Sequence, residues 1–338
     1  MELKQQIQDI PQALRDTLEK GRSEYEALVR RTRWGEGPIY ICGCGASIPI
    51  SLGGAYAFEW LLGWPVVARA VTVFENYSMS LLRPRSVLLI VSASGEAPEA
   101  VELARTARSR GAISLALTGN PGSPLAQVSD GIFWAWPGES ENAAPTVVCQ
   151  HAALTYIALV AARTLKRPNP QWDPMEEEFE KLPRHVEWTL TQLSDAVRAL
   201  ASELNGLREL WMVGGGFYHA PAIRGARRLK EVAGLHAEGM EVSEFRAEPL
   251  ERIKRGDGAV FLSGSRSKAK KEIRQAAAQA RIKGATILSV TDSNDRELAD
   301  RSELAVLIPS LTEMVGSTLT LALLEWLAVQ AGHEPKRD

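Results

Sequence analysis

The chain has 338 residues, enough for about two domains at ~100–200 residues each. Apolar residues make up 45% and charged residues 24%, with 39 Lys and Arg against 41 Asp and Glu, a net charge of -2. That balance excludes a nucleic-acid binder working by bulk charge, though not a local patch. Three cysteines exclude a disulfide framework and point to a reducing compartment.

Glu2–Arg31 reads as an amphipathic helical arm, charged throughout and lacking a signal-peptide core. Beyond it, strands are predicted at Ile39–Cys42, Val66–Ala70, Val87–Val91, Ile113–Leu117 and Ile132–Ala135. Helices are predicted between them at Ile48–Leu62, Pro98–Arg110 and Pro121–Val128. Apolar runs without alternation indicate strands buried on both faces, hence a parallel sheet. The longest apolar stretch, Ala152–Ala162, is far short of the ~20 residues that cross a bilayer. Pro168, Pro170 and Pro174 mark a break before a linker helix over Met175–Leu204, and Gly316–Ala331 is apolar enough to pack on a second sheet.

The chain nearly repeats itself. Ile39-Tyr-Ile-Cys-Gly-Cys-Gly45 matches Leu210-Trp-Met-Val-Gly-Gly-Gly216 at an offset of 171, and Val91-Ser-Ala-Ser94 matches Leu262-Ser-Gly-Ser265 at the same offset. Arg110–Thr118 then matches Lys283–Thr291 at 173. The expected architecture is therefore α/β: two doubly wound, flavodoxin-like αβα sandwiches with parallel sheets, related by internal duplication. The expected domains are an arm (1–34), a first domain (35–166), a linker helix (167–206) and a second domain with its C-terminal helix (207–338).

Open parallel sheets bind ligands at the carboxyl ends of their strands. Two such ends stand out in the first half, Gly43-Cys-Gly-Ala-Ser47 and Ser92-Ala-Ser-Gly-Glu-Ala97. Hydroxyls, backbone amides and a helix start converge there, which suits a phosphate held without a lysine. A capped helix start gives the same local pattern. No nucleotide P-loop is present, and Ile48 stands where a dinucleotide fingerprint needs its third glycine. In the second half, Arg224, Arg228 and Glu231 fall on one helical face, flanked by Arg227. A solvated ion-paired face explains such a cluster, as does a carboxylate base with a tuned pKa. Cys42 and Cys44 read as packed side chains. Cys149 and His151 are too few for a zinc site, so no metal and no cofactor is assigned.

These segments resemble the sugar isomerase (SIS) family of phosphosugar-binding domains. They are similar to its tandem members, related to the isomerase half of glucosamine-fructose-6-phosphate aminotransferase. Ile7-Gln-Asp-Ile-Pro11 resembles the family's "E-I-x-E-Q-P" arm, Gly43–Ser47 its "G-x-G-[TS]-S", and Ser92–Glu96 its "S-x-S-G-E-T". Gly225-Ala-Arg-Arg-Leu-Lys-Glu231 with Leu235-His-Ala-Glu238 resembles its "G-A-x-K-L-K-E-…-H-A-E".

The resemblance implies that Ser47, Ser92 and Ser94 hold a substrate phosphate, with the backbone of Gly45, Ala46, Ala93, Gly95 and Ala97 beside them. It implies substrate contacts from Thr146, in Glu141-Asn-Ala-Ala-Pro-Thr146, and from Lys230. Glu231 becomes the base that moves a proton between C1 and C2 of an opened sugar phosphate, poised near neutral pH. It also implies a homodimer with its site near the interface and a small phosphosugar ligand, while the charge balance, the three cysteines and the lack of a targeting or spanning segment point to a cytoplasmic protein with neither nucleic acid nor membrane as partner.

Several positions depart from the family pattern. Ala46 and Ala97 replace hydroxyl residues, and Arg228 replaces a lysine. Ala247 replaces the histidine linked to ring opening, leaving Glu248 or His219 as substitutes. An amidotransferase half is not seen, so glutamine-dependent aminotransfer is not expected. Two functions fit: an aldose/ketose isomerase or amino-sugar-phosphate deaminase or deglycase, and a non-catalytic phosphosugar sensor.

Overall fold

The computed structural model describes residues 3–135, 144–167 and 172–333. The chain divides into two compact units, one of Asp9–Pro183 and one of Met1–Gln8 with Arg184–Asp338.

The arm is two helices, α1 (Leu3–Arg15) and α2 (Arg22–Arg31), around a π-turn at Asp16–Lys20. In the Asp9–Pro183 unit there follow β1 (Ile39–Gly43), α3 (Ser47–Leu62), β2 (Val66–Ala70) and the short α4 (Val71–Val73). Then come β3 (Val87–Val91), α5 (Pro98–Ser109), β4 (Ile113–Thr118), α6 (Pro124–Val128), β5 (Gly131–Trp134) and α7 (Ala144–Thr164). The strands are parallel, in the order β2-β1-β3-β4-β5. Every residue of β1 and β3 is buried, as their uninterrupted apolar runs require. α6 begins three residues later than the sequence indicates, because the Ser123 hydroxyl accepts the Ala126 N–H at 3.3 Å and caps the helix there.

Aromatic and ionic contacts tie α2 to this unit. Trp34 packs on Phe58 at 5.3 Å between ring centroids and donates its indole N–H to Val29 O at 3.1 Å. Arg22 reaches Glu176 and, at 2.6 Å, Glu180, both on α8 (Trp172–Gln192). The division between units falls within α8, at Pro183. The expected single linker helix is two, α8 and α9 (Ser194–Leu204), broken at Leu193.

The second unit continues through β6 (Leu210–Gly214), α10 (His219–Arg228), β7 (Glu238–Glu241), α11 (Val242–Ala247), α12 (Pro249–Arg252) and β8 (Gly258–Leu262). It closes with α13 (Lys270–Ile282), β9 (Thr286–Asp292), α14 (Arg296–Ala299), β10 (Leu304–Ile308) and α15 (Glu313–His333). Its sheet runs β10-β9-β8-β6-β7, all parallel. Read from β7, this is the strand order of the first sheet, so the duplication seen in sequence is a duplication of topology. Both units are α/β with five parallel strands flanked by helices.

α7 and α15 are each 21 residues and apolar enough to cross a membrane by length and composition. The sequence reading, which counted only the unbroken run Ala152–Ala162, placed no such helix. Both are almost wholly buried, and a helix enclosed on all sides is apolar all round for that reason.

Candidate functional site

In the first unit, the register Gly43↔Val91 sets the loop after β1 beside the loop after β3. This is the point where the strand order reverses, the position at which such sheets take ligands. A side chain at Gly43 would overlap the Ser47 carbonyl at 2.5 Å, so only glycine lets the turn close. Gly45, at φ +49°, would place a Cβ with nothing within 4 Å among the described residues. The Ser92 hydroxyl accepts the Gly95 N–H and the Ser94 hydroxyl accepts the Glu96 N–H, each at 3.2 Å. Ser94 keeps its own O–H to donate elsewhere, while Ser92 is buried and also meets the Cys44 thiol. The two loops that carry the expected residues Gly45, Ala46, Ser47, Ser92, Ala93, Ser94, Gly95 and Ala97 thus lie side by side.

Ser47 differs from expectation in one respect. Its hydroxyl donates inward, to Gln150 Oε1 on α7 at 2.9 Å, and both residues are buried. Gln150 sits one helical turn beyond buried Thr146, and its amide nitrogen has no hydrogen-bond partner among the described residues. The Glu141-Asn-Ala segment lies outside the described residues. Cys44 lies beside Ser92. Burial pushes its thiol up to about 11, against the opposing Ser92 hydrogen bond, so it stays protonated and inert.

The second unit assembles the predicted Arg224, Arg228 and Glu231. α10 ends in a π-turn over Leu229–Ala233, closed by Gly234 in the left-handed region at φ +64°. Glu231 projects from that turn with its side chain 35% exposed. Its carboxylate meets Arg227 Nε at 2.8 Å, Arg224 Nη1 at 3.2 Å and Arg228 Nη1 at 3.6 Å. Behind these arginines lies Glu325 of α15, fully buried. Arg224 Nε donates to it at 2.8 Å, and Arg228 Nε lies 2.8 Å from its other oxygen as an ion pair without hydrogen-bond alignment. A Cβ at Gly225 would come within 2.8 Å of Leu324 Cδ1. The missing side chain is what lets α10 approach α15 closely enough for this network.

Burial is the largest single influence on the Glu231 carboxyl and would raise its pKa. The charge of Arg224 and the hydrogen bond and charge of Arg227 outweigh it together, and the pKa falls below the usual carboxylate range. The expectation of a base poised near neutral pH is therefore wrong. So is the solvated helix face, since Arg224 and Arg228 are buried.

A model of the SIS domain matches residues 34–162 and again 204–330. The chain belongs to the SIS domain family. It is similar to a glutamine–fructose-6-phosphate aminotransferase (isomerizing) of Symbiobacterium thermophilum, 28% identical over 341 residues. That match covers 96% of this chain and 55% of the relative, so the chain spans about half of the relative's length. In three dimensions it is similar to the C-terminal domain of glucosamine-fructose-6-phosphate aminotransferase from Francisella tularensis. The TM-score is 0.85 at 20% identity, covering 99% of this chain and 98% of that one. It is also similar to a tagatose-6-phosphate ketose/aldose isomerase from Escherichia coli, with a TM-score of 0.80 at 17% identity and coverage of 98% and 92%.

Within the second SIS repeat, two of the expected residues stand apart from Glu231. Lys230 and Glu248 line a cavity of about 960 Å³ along the edge strand β7, with Arg227, Trp211, Met240 and Lys254. Glu231 and Arg228 are not among its lining residues. Glu248 is 72% exposed and ion-paired with Arg252. His219 stands at the start of α10. Burial lowers its pKa, against the charges of Glu244 and Glu241, and leaves it neutral at physiological pH.

Two residues of this SIS chain escaped sequence reading. Glu325 stands alone among apolar residues in the middle of α15, whose other acid, Glu313, opens the helix, and that isolation was itself a signal of a buried cationic partner. Gln150 gave a weaker one, its one-turn spacing from Thr146 on α7.

Proposed function

We propose that this SIS chain binds the phosphate of a hexose or amino-sugar 6-phosphate in its first repeat and acts on the opened sugar as an isomerase, deaminase or deglycase. Glu231 takes a proton from one of C1 and C2 and returns it to the other, through an enediol or enolamine. The phosphate oxygens accept from the hydroxyls of Ser92 and Ser94 and from the amide of Gln150. Thr146 and Lys230 contact the substrate, Arg228 positions Glu231, and Glu248 assists ring opening. The reaction draws no nitrogen from glutamine. The same reading makes the protein a cytoplasmic homodimer with its site near the interface, in keeping with three free, mostly buried cysteines.

The observation that carries this reading is the pair of adjacent loops at the switch point of the sheet, which bring Gly45, Ser92 and Ser94 to the carboxyl ends of β1 and β3. The printed names of the similar proteins, an aminotransferase of the isomerizing type and a ketose/aldose isomerase, support it. Glu231 is ionised at neutral pH and so is ready to accept a proton. The π-turn that presents it is a local irregularity often found at functional sites.

A second reading is favoured by the same carboxylate. Three guanidinium groups within 3.6 Å make Glu231 a weak base, which suits a phosphosugar sensor that does not turn its ligand over. The two separate by incubating the protein with fructose 6-phosphate, glucosamine 6-phosphate and fructosamine 6-phosphates. Turnover that Glu231→Gln abolishes supports the enzyme. Thermal stabilisation by these ligands without turnover supports the sensor. Neither stabilisation nor turnover overturns both.

A further inference from the structure

Glu325 and Glu231 are two carboxylates set on the same pair of guanidinium groups. Arg224 donates from Nε to Glu325 at 2.8 Å and from Nη1 to Glu231 at 3.2 Å. Arg228 repeats the arrangement as ion pairs, with Nε 2.8 Å from Glu325 and Nη1 3.6 Å from Glu231. A guanidinium is a rigid planar fork, so an Nε anchored on the inner carboxylate fixes the direction of the Nη1 that meets the outer one. Glu325 has no exposure and Glu231 is 35% exposed, so the first cannot meet a substrate and the second can.

Among the described residues, Glu325 is the one anion that competes with Glu231 for Arg224 and Arg228. Arg227 is held by Glu231 from the exposed side. The other charged groups on these elements lie elsewhere. Glu313 and His333 stand at the two ends of α15, His219 opens α10, and Lys230 of the π-turn lines the cavity along β7. Where water screens poorly, each carboxylate weakens the hold of the shared cations on the other. Without Glu325, two buried guanidinium groups keep Glu231 as their shared carboxylate. They close on it, because a buried cation lacking an anion is costly.

We propose that Glu325 is a positioning residue for the Glu231 base: by occupying the inner sides of Arg224 and Arg228, it draws part of their charge away from Glu231 and keeps that carboxylate able to take up a proton. This rests on the reading of Glu231 as the base. A Glu325 that only propped the arginines would act with the opposite sign. Its loss would let them leave Glu231, which would then titrate closer to an ordinary carboxylate.

The test is the titration of Glu231 in the full chain, followed by the carbon NMR signal of its side-chain carboxyl, which Glu231→Gln identifies. Glu325→Gln is expected to move the midpoint to lower pH. With a sugar 6-phosphate that wild type turns over, it is also expected to lower kcat about tenfold at unchanged KM, a small part of the ~10²–10⁴ that a general base supplies. A midpoint that stays or rises overturns the proposal, as does a lowered midpoint with kcat unchanged while Glu231→Gln is inactive. If Glu325→Gln does not fold, judged by circular dichroism, Arg228→Met and Arg228→Met/Glu325→Gln are compared, since these leave a single buried guanidinium at the site. The double variant is expected to titrate at lower pH than Arg228→Met, and equal or reversed midpoints overturn the proposal. Full activity in Glu231→Gln, with the midpoint lowered as expected, overturns the base reading instead and leaves the sharing of the arginines standing.

Discussion

Arg224 and Glu325 lie 101 positions apart in sequence and meet at 2.8 Å, with side chains 2% and 0% exposed. Together with Arg228 and Glu231 they form a chain of alternating charges that runs from the interior to the partly exposed π-turn. The buried end holds the accessible end in place, so stability and the candidate chemistry are coupled through the same arginines.

Glu325→Gln leaves two buried guanidinium groups with only the partly exposed Glu231 to share. The expected loss of stability is about 3–5 kcal/mol, read from urea denaturation. A triple variant, Arg224→Met/Arg228→Met/Glu325→Leu, is expected to recover most of it, because a well-packed apolar set needs no desolvation of charge. A loss below about 1 kcal/mol in the single variant contradicts the network's structural role.

Glu231 carries a pH signature of its own. Its folded-state pKa is lowered, so its contribution to stability is complete above the unfolded value, about 4.3. That contribution is lost as pH falls through the lower folded value. Urea melts of wild type between about pH 3 and pH 7 are expected to weaken on the acid side, and Glu231→Gln is expected to flatten that branch. Parallel acid branches in the two proteins count against an ion-paired Glu231.

His151 on α7 is fully buried, and burial lowers its pKa to about 4 from 6.5. A lowered histidine stabilises the fold above its unfolded pKa and loses that contribution as pH falls from 6.5 to about 4. The loss is roughly 3 kcal/mol, from ~1.4 kcal/mol per pKa unit. Thermal melts across this window are expected to show it in wild type and not in His151→Leu. An unchanged pH dependence in the variant assigns the acid sensitivity elsewhere.

Gln150→Met keeps the volume of the side chain and removes its unpartnered amide nitrogen. If that nitrogen serves the phosphate, affinity for inorganic phosphate falls about tenfold, one net hydrogen bond. Titration calorimetry reads the change. Unchanged affinity leaves Gln150 with the sole task of holding Ser47.

The strands, their parallel sense and the duplication were legible in the residues themselves. A strand buried on both faces is an apolar run, and glycines at Gly43, Gly45, Gly214 and Gly216 mark where such a run must turn. These are local requirements, so local sequence carries them. The serine cradle was legible for the same reason, since each of its loops directly follows a strand. The state of Glu231 was not. Its pKa depends on which arginines reach it and on how deeply they are buried, and Glu325, which helps hold them, is far along the chain. The setting of Gly216 was equally hidden. Gly216 matches Gly45 in sequence and in φ, and only the folded chain places Glu313 against Gly216. Charge acts through space, and tertiary structure alone decides which charges are neighbours.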